Sequence, residues 1–204
     1  KPIPEEIIKD ILDCARLAPT AINIQPWIFG RGIRPDLKRK IADKTDYGKF
    51  REYIESAQEK YGCLLHVYVF MTNHYHMIIE TPKANLSKVM HFINGSYTNY
   101  INKKRNRSGH LFQGRYKALL IENESDDYFS IVSTYIHLNP ARAKMFDLID
   151  GKLNDYAWSS YPLYLRPSQR PSWLCINQVF GCLRMSDDRK GRYAYRQYMQ
   201  NWIS

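Results

Sequence analysis

Two neighbouring runs of β-branched and aromatic residues, at positions 64–71 and 74–80, constrain the fold of this chain most strongly. The turn-prone pair Thr72 and Asn73 lies between them, an arrangement typical of a β-hairpin. The sequence therefore predicts two antiparallel strands here, and the segments before and after them must be arranged around this hairpin.

Helical patterns occur on both sides of the hairpin. Part of residues 36–60 carries Phe50 and Ile54 on one face, and Gly62 is placed to end the helix. Beyond the hairpin, apolar residues recur every three or four positions from Leu86 to Ile101, which predicts a long helix.

A third helix is expected to begin at Asp126 and to end close to Asn139, because the residue before Pro140 disfavours helical geometry. Strand signals occur at about residues 27–31 and within 110–122. The order is strand, helix, strand, strand, helix, strand, helix. It indicates an α+β fold with a ferredoxin-like (split βαβ) antiparallel sheet and helices on one face.

Composition narrows the class of partner. The chain has 204 residues, enough for one domain with an appendage. Thirty Lys and Arg against 20 Asp and Glu give a formal net charge of +10, which favours polyanions such as nucleic acid or an anionic membrane surface. No run approaches the roughly 20 apolar residues of a spanning helix, so we expect no membrane span.

The cysteines and the first residues bear on the cellular compartment. The 4 cysteines lack both CxxC spacing and the density of a disulfide framework, and the first residues lack the basic-then-apolar order of a signal peptide. We therefore expect a cytoplasmic protein.

His74-Tyr75-His76 is the first candidate for chemistry. Residues i and i+2 of a strand point to the same face, so the two imidazoles project side by side while Tyr75 points to the other face. Adjacent imidazoles form half of a metal site. Two structural histidines in a hairpin would give the same pattern.

Tyr135 and Asn139 form the second candidate. They lie four residues apart and so share one helix face, on which a phenol and an amide oxygen could point toward the sheet together. The alternative makes Tyr135 a core aromatic and Asn139 a C-terminal cap.

Taken together, residues from about 50 to 165 resemble the REP-associated tyrosine transposases, which belong to the single-tyrosine HUH transposase group. Four segments carry the resemblance in the order found in that family: Met71–Glu80, Gly109–Lys117, Tyr135–Ala143 and Trp158–Tyr161.

The resemblance implies an HUH catalytic domain that cuts and rejoins single-stranded DNA at hairpin-flanked sites. It implies that His74 and His76 hold a divalent metal, Mg²⁺ or Mn²⁺, that Asn139 supplies the third ligand, and that Tyr135 is the nucleophile. A free phenol has a pKa of about 10, so its attack on a phosphodiester needs a cation to stabilise the developing charge. A covalent 5′-phosphotyrosine would conserve the bond energy for rejoining.

Basic residues near these segments are candidates for contacts with single-stranded or hairpin DNA, because Lys and Arg neutralise phosphates. The candidates are Lys103, Lys104, Arg105, Arg107, Arg115, Lys117 and Arg142. For the cluster at 103–107 a solvated helix end is an equally good explanation, since cations stabilise a helix C-terminus.

The N-terminal part departs from this family. Residues 1–45 resemble a fragment of a flavin nitroreductase, with Ala18–Trp27 carrying the likeness, but the arginine-rich flavin-phosphate motif is absent and we expect no flavin site. We predict a helical segment at 1–26 as a fusion remnant, the transposase domain at 27–165, and a tail with a helix at 166–204.

Three hypotheses stay open on sequence alone. The first is a transposase that uses Tyr135, the second is a catalytically inactive hairpin-binding protein, and the third is a yellow, nitroreductase-like flavoprotein. Loss of the first strand would favour the second. The sequence leaves open the DNA target, the preferred metal, whether the atypical N-terminus permits activity, and whether a homodimer pairs one tyrosine with its partner's metal site.

Overall fold

Four strands form one sheet in the computed structural model of this chain. The model describes residues 25–30, 44–72, 74–112, 115–121, 126–143, 145 and 153–202, so the helical segment expected near the N-terminus lies outside the described residues. The strands are β1 (Gln25–Gly30), β2 (Leu64–Phe70), β3 (Tyr75–Glu80) and β4 (Lys117–Ile121).

The helices of the described ranges are α1 (Lys44–Tyr61), α2 (Leu86–Lys104), α3 (Asp126–Arg142), α4 (Tyr161–Leu165), α5 (Asn177–Cys182) and α6 (Arg189–Asn201). The expected face of α1 is confirmed, because Phe50 and Ile54 are buried. Gly62 ends α1 with a φ of +69°, a conformation that glycine adopts without steric cost.

The sheet order is β2-β3-β1-β4, and every neighbouring pair is antiparallel. The sequential order βαββαβ with this pairing is the predicted ferredoxin-like arrangement. β1 lies between β3 and β4, where Phe29 is the register partner of both His76 and Lys117. The first strand is therefore present and central in the sheet.

Different helices cover the two faces of the sheet. Tyr75 and Phe70 each place a ring 5.0 Å from Phe50 of α1, and α1 packs in turn against α2. The next residue on β3, His76, points to the opposite face, where its ring lies beside Tyr135 of α3. The helix that carries the tyrosine thus packs on the face that the α1–α2 pair leaves uncovered.

The predicted end of α3 near Asn139 is wrong, because the helix continues through Pro140 to Arg142. Proline lacks only its own N–H, so a single intrahelical hydrogen bond is lost at this position. The last turn keeps its other bonds: Ala143 N donates to Asn139 O at 2.9 Å, and Met145 N donates to Pro140 O at 3.0 Å. A proline this close to the C-terminus is therefore tolerated.

The outer edge of β2 is covered by the chain that follows α3. Phe70 N donates to Trp158 O at 2.8 Å, and Cys175 N donates to Leu65 O at 2.8 Å. These bonds satisfy backbone groups that an exposed edge strand would leave unpaired. The C-terminal region is thereby joined to the sheet.

Among the described residues, no helix combines the length and the apolar composition that crossing a bilayer requires.

Candidate active site

The two histidines of the HUH segment lie side by side at the start of β3. The ring centroids of His74 and His76 are 4.8 Å apart, with the rings nearly perpendicular. Tyr75, between them in sequence, points to the other face, where it is buried and donates a hydrogen bond to Asn94 Oδ1 at 2.8 Å. The prediction that both imidazoles share one face is confirmed.

Burial keeps both imidazoles neutral. It is the main reason that the pKa of His76 falls to about 3, with a smaller contribution from His74. Burial also lowers the pKa of His74 below its ordinary value. Only a neutral imidazole has a free electron pair for a metal, so at neutral pH both rings are in the protonation state that coordination requires.

Tyr135 faces this pair from α3. Its ring centroid lies 6.5 Å from that of His76, and its side chain is half-buried. Val132 and Ile136 on α3 are fully buried, and this packing fixes the helix against β2 and β3. The Arg142 guanidinium carbon lies 5.4 Å from the centre of the Tyr135 ring, within range of a cation–π interaction.

Asn139 follows Tyr135 by one turn of α3 and is half-buried on the same helix face. Its amide Nδ2 is buried and has no hydrogen-bond partner in the described part of the chain. Rotation of the amide by 180° would place Oδ1, an oxygen ligand, in the same position. An orphaned amide in this place fits a ligand that approaches from the sheet side.

These three side chains fit a divalent cation. They offer two imidazole nitrogens and one amide oxygen, a set that suits Mn²⁺ better than Mg²⁺, which prefers oxygen. Within the described ranges, no cluster of three or more His, Cys, Asp or Glu residues could hold a metal. The candidate centre therefore depends on Asn139 as the third ligand.

Lys117 lies in the same cross-strand row as His76. Phe29 of β1 is the register partner of both residues, so Lys117 is two strands from His76, at about 10 Å. Directly opposed residues of antiparallel strands point to the same face. Lys117 thus places a cation on the face that carries the histidine pair.

Lys104 and Arg105, predicted as DNA contacts, bind a carboxylate of the protein. Asp46 is fully buried at the start of α1, with Oδ1 2.7 Å from Lys104 Nζ and Oδ2 2.9 Å from Arg105 Nη2. Tyr100 also donates to Asp46 Oδ1 at 3.3 Å. These bonds fix the C-terminal end of α2 to α1, and the DNA contacts of both cations stay a prediction.

The remaining predicted DNA contacts differ in exposure. Lys103, Arg115 and Arg142 are exposed, whereas Arg107 is half-buried and its Nη1 has no hydrogen-bond partner among the described residues. An unsatisfied guanidinium nitrogen is costly unless a ligand completes it. Of the cluster at 103–107, Arg107 is therefore best placed to accept a phosphate oxygen.

Glu80 shares the strand face of His76 but contacts a different histidine. Its Oε2 lies 3.1 Å from His66 Nε2, and His66 Nδ1 lies 3.1 Å from Cys175 O. A bulge between Leu65 and Val67 turns His66 toward α3. Burial lowers the pKa of His66 despite these acceptors, and this group links the hairpin to the C-terminal region.

Sequence reasoning missed how His137 is held beneath the tyrosine helix. His137 is fully buried two residues beyond Tyr135, with Nε2 2.7 Å from Ser160 Oγ and Nδ1 2.8 Å from the Tyr195 hydroxyl. Ser160 Oγ also accepts from Tyr68 N and donates to Tyr68 O. His137 Nε2 must therefore donate and Nδ1 accept, so this neutral tautomer joins α3 to α6.

Comparison with protein families identifies the chain. The model of the family described as "Transposase IS200 like" matches residues 33–139, just over half of the chain. The chain belongs to the IS200-like transposase family. The matched region includes the histidine pair of β3 and the Tyr135–Asn139 face of α3.

Solved structures include relatives of this family member, although no functionally curated protein matches it. A REP-associated tyrosine transposase bound to a REP hairpin superposes with a TM-score of 0.58 at 17% identity, covering 78% of this chain and 92% of that one. This similarity shows the shared fold.

Two more distant structures also align. A putative transposase from Deinococcus radiodurans gives a TM-score of 0.40 at 10% identity, covering 59% of this chain and 95% of that one. A bacterial tRNA(His) guanylyltransferase-like protein in complex with GTP gives 0.39 at 13% identity, with coverages of 70% and 77%.

Proposed function

We propose that this IS200-like transposase cleaves and rejoins single-stranded DNA at hairpin-flanked sites, with Tyr135 as the nucleophile and a divalent cation bound by His74, His76 and Asn139. The observation that carries the proposal is the 6.5 Å separation between the His76 and Tyr135 rings. It brings a neutral imidazole pair and a phenol from different elements into one site.

The chemistry is a transesterification. The Tyr135 hydroxyl oxygen attacks the phosphorus, the bond from phosphorus to the 3′-oxygen breaks, and the phenolic proton is balanced by the proton that the leaving 3′-oxygen takes up. The products are a 5′-phosphotyrosine and a free 3′-OH, and the reverse attack by a 3′-OH rejoins the strand. The bound cation would polarise the scissile phosphate and stabilise its developing charge.

The protein's own cations support this step. Arg142 lies beside the Tyr135 ring and Lys117 occupies the His76 row, so positive charge flanks the position of a scissile phosphate. Preorganised cations stabilise charge that develops in a transition state.

One chain contains both halves of this proposed site. Tyr135 and His76 belong to the same polypeptide, so the arrangement supports catalysis in cis. The binding-only hypothesis depended on loss of the first strand, and the central position of β1 between β3 and β4 favours the catalytic hypothesis instead.

A DNA hairpin is the proposed substrate. The structurally similar REP-associated transposase is bound to a REP hairpin, and the net charge of +10 suits the same kind of partner here. Repeats that flank the gene of this chain are the natural source of test oligonucleotides.

Covalent adduct formation tests the proposal. Labelled hairpin oligonucleotides are incubated with protein and Mn²⁺ or Mg²⁺, and a protein-linked band is sought on a denaturing gel. We expect a band that is lost with Tyr135→Phe and with EDTA. Tyr128→Phe is the matched control, since Tyr128 lies two turns earlier on the same face of α3. A band that persists in Tyr135→Phe would refute the assignment.

A further inference from the structure

A basic groove lies outside the candidate active site, between α6 and the turn that follows α4. Its volume is about 640 Å³. Its lining includes Pro167 on one wall and Arg189, Lys190, Arg192, Tyr193 and Arg196 on the other.

Most of the positive charge in this groove is available to a ligand. Arg192 binds Asp187, with Nη1 2.9 Å from Oδ1. By contrast, Arg189, Lys190 and Arg196 form no ion pair with any residue that the structure describes. Three uncompensated cations in one concave surface create a positive potential that attracts a polyanion.

The groove also presents an aromatic ring. Tyr193 is 65% exposed, and it is the exposed large hydrophobic residue of the described chain. In the described part of the chain its ring has no aromatic contact. An exposed ring among cations is the arrangement by which proteins bind single strands, because unpaired bases stack on it while the cations contact phosphates. A duplex keeps its bases stacked internally and offers no such partner.

The groove belongs to a rigid helix. Asp188 accepts a hydrogen bond from Gly191 N at 2.7 Å at the start of α6, and a Cβ on Gly191 would lie 1.9 Å from Ser186 O. The inner face of α6 contacts the tyrosine helix, with the Tyr195 hydroxyl 2.8 Å from His137 Nδ1. A strand held on the outer face of α6 would therefore be fixed relative to α3.

We propose that this groove binds an unpaired segment of the DNA substrate, with Tyr193 stacking on a base and Arg189, Lys190 and Arg196 contacting phosphates. The inference rests on the proposed function for the identity of the DNA, but the groove can be tested without catalysis.

The experiment measures binding of a fluorescent oligothymidine of about 12 nucleotides by anisotropy over a series of salt concentrations. We expect Tyr193→Ala to weaken binding about 10-fold, and Tyr193→Phe, which keeps the ring, to bind like the parent chain. Arg189→Gln combined with Arg196→Gln should lower the slope of log K against log salt by about 1.4, or 0.7 for each phosphate contact.

Lys83→Gln combined with Lys88→Gln is the charge-matched control. Both lysines are exposed near the start of α2, so this variant should keep the parent stacking effect of Tyr193 and lose less affinity than the groove variant. Equal losses in the two double variants, or parent affinity in Tyr193→Ala, would overturn the inference. So would absence of oligothymidine binding by the parent chain.

A hairpin assay separates this inference from the proposed function. A hairpin with a single-stranded extension should bind the parent chain more tightly than a blunt hairpin, and Tyr193→Ala should remove the difference. Covalent adduct with no effect of the groove variants would refute the groove alone. Groove-dependent binding with no adduct would refute the transposition mechanism alone.

Discussion

His137 on the tyrosine helix accepts a hydrogen bond from the Tyr195 hydroxyl on α6 at 2.8 Å, and both side chains are fully buried. The second ring nitrogen donates to Ser160 Oγ at 2.7 Å. The orientation of α3 therefore depends on residues that lie far beyond it in sequence.

Removal of the Tyr195 hydroxyl should destabilise the fold. Tyr195→Phe leaves His137 Nδ1 as a buried acceptor without a donor, which costs about 1–3 kcal/mol. Urea denaturation measures the loss. Tyr193→Phe on the exposed face of the same helix is the control and should change the free energy of unfolding by less than about 0.5 kcal/mol. Equal stability of the two variants would contradict the assigned hydrogen bond.

Stability should fall as the pH drops below about 6.5, the ordinary pKa of an unfolded histidine. Burial lowers the pKa of His137 to about 3, so the unfolded chain takes up a proton that the folded chain refuses. The contribution of His137 is thus complete above about pH 6.5 and is lost progressively toward pH 3. Between pH 7 and pH 5 we expect a loss of about 2 kcal/mol from this residue.

The comparison that isolates this effect is His137→Gln. Both proteins are unfolded in urea at pH 7 and pH 5, and the change in unfolding free energy should be smaller in the variant. His76 is a second contributor, because its pKa is also lowered to about 3, so some pH dependence should persist. An unchanged pH dependence in the variant would argue against a neutral, buried His137.

Loss of the Asp46 carboxylate should weaken the junction of α1 and α2. Asp46→Asn removes one partner from Lys104 and Arg105, and we expect a loss of about 2 kcal/mol, moderated because both cations are partly exposed to water. Thermal or urea unfolding measures it. Glu52→Gln, at an exposed pair with Lys49, should cost less than about 0.5 kcal/mol. A similarly small cost for Asp46→Asn would refute the structural role.

Metal binding should depend on the oxygen ligand that α3 supplies. We expect Mn²⁺ to raise the melting temperature of the parent chain, since a ligand at 100 times its Kd stabilises a protein by about 2.7 kcal/mol. Asn139→Leu and His76→Ala should reduce this shift, whereas Asn139→Asp, which keeps an oxygen, should retain it. A parent-like shift in Asn139→Leu would remove Asn139 from the ligand set.

Local patterns predicted the hairpin, the long helices and the paired histidines, because burial repeats every two residues in a strand and about every 3.6 in a helix. They also placed Tyr135 and Asn139 on one face of α3. The continuation of α3 through Pro140 was missed, because the rule for the residue before proline is statistical and the cost near a helix end is one hydrogen bond.

Long-range pairings could not be predicted in the same way. Asp46 meets Lys104 across 58 residues, and His137 meets Tyr195 across a similar separation. Nothing in the neighbouring sequence of either residue marks its partner. The contact between Tyr135 and His76 was expected only from the family resemblance, since neither motif specifies the distance to the other.

The hydrogen bonds along β2 also limit how two copies of this transposase can join. Strand addition at β2 would have to displace the backbone contacts made by Trp158 and Cys175. Of the two edges of the described sheet, β4 is the one that a second chain could extend without breaking those contacts. A dimer with a continuous sheet would therefore meet at the strand that begins with Lys117, on the His76 row.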